Sequence, residues 1–186
     1  MNEILKAITT RRSVRTFKAE QLKEHELQAI IEAGQYAPSA RNEQAWHFSV
    51  VQNPAILAKI NTTLQEIFAN SGNPVLAERA KAENFSPFHH APTLIIVSGD
   101  QNAIAPEPDV SLALGNCFLA AHALGISSVW IHSLRQLFNA PAGKALQQTL
   151  GIPEGYVIYG SGAFGYNAGD LPAAEPRRAG TVTFVR

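Results

Sequence analysis

A single cysteine, Cys117, in 186 residues excludes an intramolecular disulfide. Cysteine-poor chains are ordinary in reducing compartments. Neither sign of charge is in excess, since 15 basic and 15 acidic side chains cancel. A sequence-independent nucleic-acid binder needs a cationic surplus, so the balance argues against that class, and it gives no reason to expect a membrane-surface protein. No run approaches the ~20 consecutive apolar residues of a membrane span. The opening segment, Met1–Ile8, is charged and mixed. It lacks the apolar stretch and small-residue cleavage site of a secretory leader. The expectation is a cytoplasmic protein forming one domain over residues 1–186. Its 46% hydrophobic content suffices for one buried core.

Chemistry that needs a dedicated motif is missing too. There is no G-x-S-x-G elbow, and Ser39 has no His and Asp at a recognisable spacing, so hydrolysis is unsupported. His89 and His90 are adjacent and point different ways in regular structure, and no Cys, His or Glu completes a metal site with them. Cys117 sits in a small-residue segment and reads as an inert buried thiol. Gly160-Ser161-Gly162-Ala163-Phe164-Gly165 spells G-x-G-x-x-G. A dinucleotide fingerprint also needs a helix starting there and an acidic residue about 20 positions on. Asn167, Gly169 and Pro172 follow instead, so a Rossmann site is rejected and the glycines are assigned to tight strand packing.

What is present is an interleaving of helix and strand patterns. Ile4, Leu5 and Ile8 recur at helical spacing behind a cap at Asn2. Leu22, Leu27, Ile30 and Ile31 mark a second helix that ends near Gly34 to Pro38. Helices are expected from Pro54 to about Asn70, around Val75 to Ala82, from Asp109 to Gly125 and from Ala142 to Leu150. Strands are expected at 46–51, 93–97, 127–132, 156–161 and 181–185, where β-branched and aromatic residues or apolar runs concentrate. Thr93 to Val97 is nearly continuously apolar, as in a strand covered on both faces. Residues 167–180 read as an extended arm. The pattern is α+β: a mixed, mostly antiparallel central sheet wrapped by helices.

Two segments carry polar chemistry. Arg11, Arg12 and Arg15 cluster near the start, and Arg177, Arg178 and Arg186 near the end. Forked guanidinium donors grip phosphate oxygens bidentately, although charge runs also occur on plain solvated faces. The loop Ala37–Trp46 gathers Pro38, Ser39, Asn42 and Gln44. Amides offer donors and acceptors to the edge of a planar heterocycle, although the same residues suit a simple polar turn.

In chain order these segments resemble the nitroreductase family. Arg11-Arg12-Ser13-Val14-Arg15 with Phe17 is similar to its R-R-S-x-R/K-x-F opening. Ala37–Trp46 followed by Phe48 is similar to A-P-S-x-x-N-x-Q-P-W-x-F, with Ala45 where the pattern has proline. Ala91-Pro92, Asp109 opening a helix that closes at Ala123-Leu124-Gly125, Trp130, Gly151–Tyr156, Gly165-Tyr166 and Pro176-Arg177-Arg178 continue it.

The resemblance implies an intertwined homodimer with two flavin mononucleotide (FMN) sites at its interface. It implies NAD(P)H as donor, a small nitroaromatic, quinone or similar acceptor, and ping-pong exchange. Arg11, Arg12 and Ser13 would hold the phosphate and ribityl end, Arg15 the flavin N1/O2 edge, and Arg177 and Arg178 would close on the phosphate. Pro38, Ser39, Asn42 and Gln44 would come from the other subunit. Asn84 would reach the pyrimidine side, and Ile131, His132 and Ser133 would offer backbone groups to the ring. No metal and no side-chain base is implied, because the flavin carries the chemistry. Dehalogenation, azoline oxidation, flavin fragmentation or a non-catalytic flavin carrier on the same scaffold stay open.

Overall fold

The computed structural model describes residues 2–186. The order is α1 (Glu3–Thr10), α2 (Glu24–Gln35), a 3-10 turn (Ala40–Asn42), β1 (Trp46–Val51), α3 (Pro54–Ala69), α4 (Pro74–Ala80), β2 (Thr93–Asp100), α5 (Pro106–Ala123), β3 (Ser127–Trp130), α6 (Leu134–Asn139), α7 (Pro141–Thr149) and β4 (Tyr156–Gly165). Several helix starts follow from local chemistry. Asn53 and Asn73 each precede a proline, and each side chain accepts two N–H bonds from the first turn. The asparagine satisfies donors that no helical carbonyl reaches, and a proline at the first position has no N–H to leave orphaned.

The strands lie in the order β1-β2-β4-β3, and every neighbouring pair is antiparallel. An isolated parallel bridge joins Ser13 to Ser128. This is the expected mixed, mostly antiparallel sheet. Central strand β2 shows why helices cover both faces. Leu94, Ile95, Ile96 and Val97 are all fully buried. Leu94 and Ile96 join a core with Ile60, Leu64 and Phe68 of α3 and with Leu134 of α6. Ile95 and Val97 join a second core with Ile30 of α2 and Leu114 and Cys117 of α5. The period of two along the strand therefore feeds two helical layers.

The G-x-G-x-x-G string lies inside β4, as packing glycines should. A Cβ on Gly160 would meet Trp130 at 2.9 Å and Leu114 at 3.1 Å. One on Gly162 would meet Phe118 at 2.6 Å. These glycines let α5 and β3 press onto the strand.

Some expectations are corrected. Residues 181–185 form no strand in the described chain, and Val182, Phe184 and Val185 are exposed. Their β propensity is real, but a strand exists only where a neighbour pairs its backbone. Strands β2 and β4 extend past Val97 and Ser161 because they pair with each other from Thr93↔Phe164 to Asp100↔Tyr156. Strand β3 stops at Trp130, two residues short of the expectation. Helix α6, six residues long, is too short for a helical period to show in the sequence.

Candidate cofactor site

The chain leaves α1 at Thr10 and runs through Arg11–Arg15 beside β3, where the Val14 N–H donates to the Ser128 carbonyl at 3.1 Å. Arg11, Arg12, Ser13 and Arg15 line a cleft of about 830 Å³, together with Arg177 and the 172–175 stretch of the tail. None of these arginines has a carboxylate partner. The ion pairs among the described residues are Lys81–Glu78 and Arg135–Glu107. The guanidinium groups donate to backbone carbonyls instead. Arg11 reaches Arg12 at 3.1 Å, Arg12 reaches Thr9 at 2.9 Å, and Arg177 reaches Glu175 at 2.6 Å. Burial, aided by the charge of Arg12, lowers the pKa of Arg11, whose guanidinium lies 5.8 Å from the centre of the Phe118 ring. Converging cations, with Glu175 also lining the cleft but in no ion pair with them, form a donor set for a dianionic phosphate.

A second cleft, of about 880 Å³, is bounded by Tyr36, Asn42, Gln44, Trp46 and Phe48 among others. The Gln44 N–H donates to Ser39 Oγ at 3.0 Å, and Gln44 Nε2 donates to Asn42 Oδ1 at 3.0 Å. Arg41, Asn42 and Gln44 have φ of 48°, 58° and 49°. Left-handed backbone costs a residue with a side chain about 1–2 kcal/mol. Such a loop persists only where its surroundings over-determine it.

Two carboxylates do this, and neither is a candidate on sequence grounds. Asp109, buried in the first turn of α5, accepts the Ala40 N–H on both oxygens, at 3.2 and 3.1 Å. Glu43 accepts the Ile104 N–H at 3.0 Å. The sequence signal for Asp109 is an acidic residue opening a helix. Nothing local links it to Ala40, 69 positions away.

The other expected residues are spread out. The Ile131 N–H donates to the Ser161 carbonyl at 2.8 Å, and its carbonyl accepts from Ser161 Oγ at 2.7 Å. His132 is exposed and Ser133 half-buried at the start of α6. Asn84, Pro38 and Arg178 are exposed and line neither cleft. Burial, aided by the charges of Arg15 and Arg79, lowers the pKa of His89, whose φ is 57°. Within one chain, then, the arginines and Ser13 share one cleft while Asn42 and Gln44 line the other.

The sequence model of the nitroreductase family matches residues 8–166. The chain belongs to the nitroreductase family. Among solved nitroreductases, one with bound FMN from Bacteroides fragilis is 40% identical and aligns over 100% of both chains with a TM-score of 0.94. The FMN reductase (NAD(P)H) of Bacillus subtilis is 30% identical over 181 residues, 95% of this chain and 70% of its own. The iodotyrosine deiodinase of Thermotoga neapolitana is 28% identical over 158 residues, 78% of this chain and 84% of its own. The arginine cleft and the amide loop both lie within the matched stretch, except for Arg177 and the tail.

Proposed function

We propose that the chain is an FMN-dependent oxidoreductase that draws hydride from NADH or NADPH and reduces a small electron-poor acceptor, working as a cytoplasmic homodimer. The observation that carries this reading is the cleft of Arg11, Arg12, Ser13, Arg15 and Arg177, cationic and without a carboxylate partner. That donor set fits the phosphate of FMN, and the cleft volume is that of a small-molecule site. When bound, FMN supplies the hydride and electron transfer, so no side-chain base is required.

The chain's residues bind and orient. Arg11, Arg12 and Ser13 hold the phosphate and ribityl end, and Arg177 and Arg178 close over it. Arg15 lies at the pyrimidine edge, where a fixed cation favours added electron density. His132 and Ser133 offer backbone N–H groups to the ring face, since their carbonyls accept from Arg135 and Gln136, whereas both backbone groups of Ile131 are engaged by Ser161. Asn84 approaches the pyrimidine side. Donor and acceptor would use the site in turn, a ping-pong exchange.

Pro38, Ser39, Asn42 and Gln44 act on the partner subunit's flavin. The separation of the amide loop from the arginine cleft within one chain supports this. So do the exposed apolar residues of α1 and the tail: Ile4, Leu5, Ile8, Val182, Phe184 and Val185. Surfaces of that kind mark association sites. A second reading, reductive removal of a halogen from an aromatic ring, is favoured by the likeness to the Thermotoga deiodinase.

Titration of the purified protein with FMN tests the site. Replacing Arg11 and Ser13 with alanine removes charge-assisted bonds of about 1.5–3 kcal/mol each, so affinity should fall at least tenfold. Wild-type affinity in that variant would refute the assignment. An acceptor screen monitored by NAD(P)H oxidation separates nitro or quinone reduction from dehalogenation. Sedimentation of the FMN-bound protein as a stable monomer would refute the shared site.

A further inference from the structure

We infer that Asp109 is a positioning residue for the flavin ring, acting through a two-way carboxylate clasp that holds the amide loop 39–44 in its binding shape. The role rests on the reading that this loop contacts FMN. The clasp crosses in both directions. Asp109 of α5 takes the N–H of Ala40 from the loop, and Glu43 of the loop takes the N–H of Ile104 from the lead-in to α5. Ala40 opens the 3-10 turn and Glu43 directly follows it, so the bonds bracket both ends of the strained segment. Between them sit Arg41 and Asn42 in left-handed backbone, with Gln44 just beyond.

The burial of Asp109 is what makes this more than helix capping. Its side chain is 5% exposed and has no ion-pair partner, and its hydrogen bonds among the described residues are the two from Ala40. A carboxylate so placed is costly to bury unless it is hydrogen-bonded, and its protein donor among the described residues is this one loop N–H, shared between its two oxygens. A surface acid would satisfy the dipole at the start of α5 equally well.

The same helical turn reaches the other proposed ring contact. Glu107 pairs with Arg135 at 2.8 Å, and Arg135 stands two residues after Ser133. The first turn of α5 thereby touches the amide loop on one side and, through a partly exposed ion pair, α6 on the other.

The test is a double-mutant cycle on the full-length protein, read as FMN dissociation constants. Asp109→Ala should weaken FMN binding by about tenfold, the loss of one charge-assisted bond. Asp109→Asn, which keeps an acceptor oxygen, should restore most of that loss. In a Gln44→Ala background, Asp109→Ala should weaken binding less than threefold further, because the loop's contribution is already gone. A purely structural Asp109 would lower the melting temperature yet leave the affinity effects additive, and additivity overturns the inference. Unchanged affinity in Asp109→Ala, against a wild type that binds FMN, overturns it too. If Asp109→Ala fails to fold, Glu43→Ala on the exposed side carries the test. Weaker FMN binding with faster hydrogen exchange at 40–44 supports the clasp, and no change in either refutes it. A wild type that binds no FMN removes the flavin reading itself. Faster exchange at 40–44 in the variants would then still establish the clasp, without its role toward the ring.

Discussion

Gly34 is where α2 touches α5, and a single methyl there tests the packing of that layer. A Cβ at Gly34 would lie 2.6 Å from Cys117 Sγ and 3.0 and 3.1 Å from two ring carbons of Phe48. Ordinary contact is about 3.5–4.0 Å, so the helices must part by roughly 1 Å or the side chains must move. Overpacking by one methyl costs about 1–3 kcal/mol. Alanine in a helix interior returns about 0.8–1 kcal/mol over glycine. Gly34→Ala should therefore destabilise by up to about 2 kcal/mol, or up to about 8 °C at 2–4 °C per kcal/mol for a chain of this size. Cys117→Ala removes the nearest clash, and Phe48, only half-buried, can absorb a few tenths of an ångström. In that background the added methyl should cost at least about 1 kcal/mol less, a coupling well above the ~0.5 kcal/mol scatter of independent sites. Urea unfolding of the four proteins measures this, at fixed protein and FMN concentrations because partner and ligand both shift apparent stability. Additive effects would refute the close approach of α2 to α5.

Three further outcomes follow from the same structure. Burial pushes the Cys117 thiol up to about 12. Native protein at pH 8 should resist a thiol reagent that labels one site per chain after unfolding, and prompt native labelling would contradict the burial. The Tyr166 hydroxyl donates to Glu26 at 2.6 Å, which lowers the carboxyl pKa and raises that of the phenol. The carboxyl then contributes stability above its unfolded value of about 4.3, lost as pH falls through the folded value. The phenol contributes below about 10, and loses that as pH rises through its raised value. Tyr166→Phe should flatten both limbs of a melting-temperature profile against pH, and an unchanged profile would refute the pairing. Gly162→Ala places a Cβ 2.6 Å from Phe118 and 2.8 Å from Phe164. It should cost about 1–3 kcal/mol of stability. Loss of nucleotide binding at unchanged stability would revive the dinucleotide reading of that string.

Features legible in the sequence are those whose cause is local. The apolar run Thr93–Val97 announces a strand covered on both faces because each residue there is buried by its own side chain. Pro54 announces a helix start because a proline at the first helical position acts within one turn, whereas Asn73-Pro74 starts α4 one residue before the expected Val75. The arginine cluster and the amide loop are legible as residue types suited to phosphate and to a heterocycle edge. Their failure to meet within one chain is a tertiary fact that no spacing records. The missing strand at 181–185 has the same origin, since β propensity states a preference and a ladder needs a partner. Asp109 is the most instructive case. An acidic residue in a helix's first turn already has a sufficient local explanation in the helix dipole. That sufficiency hides its bond to Ala40. The structure separates the two explanations through burial, because a dipole is served as well from the surface. A carboxylate kept out of water with one distant backbone N–H on both its oxygens answers to the loop it holds.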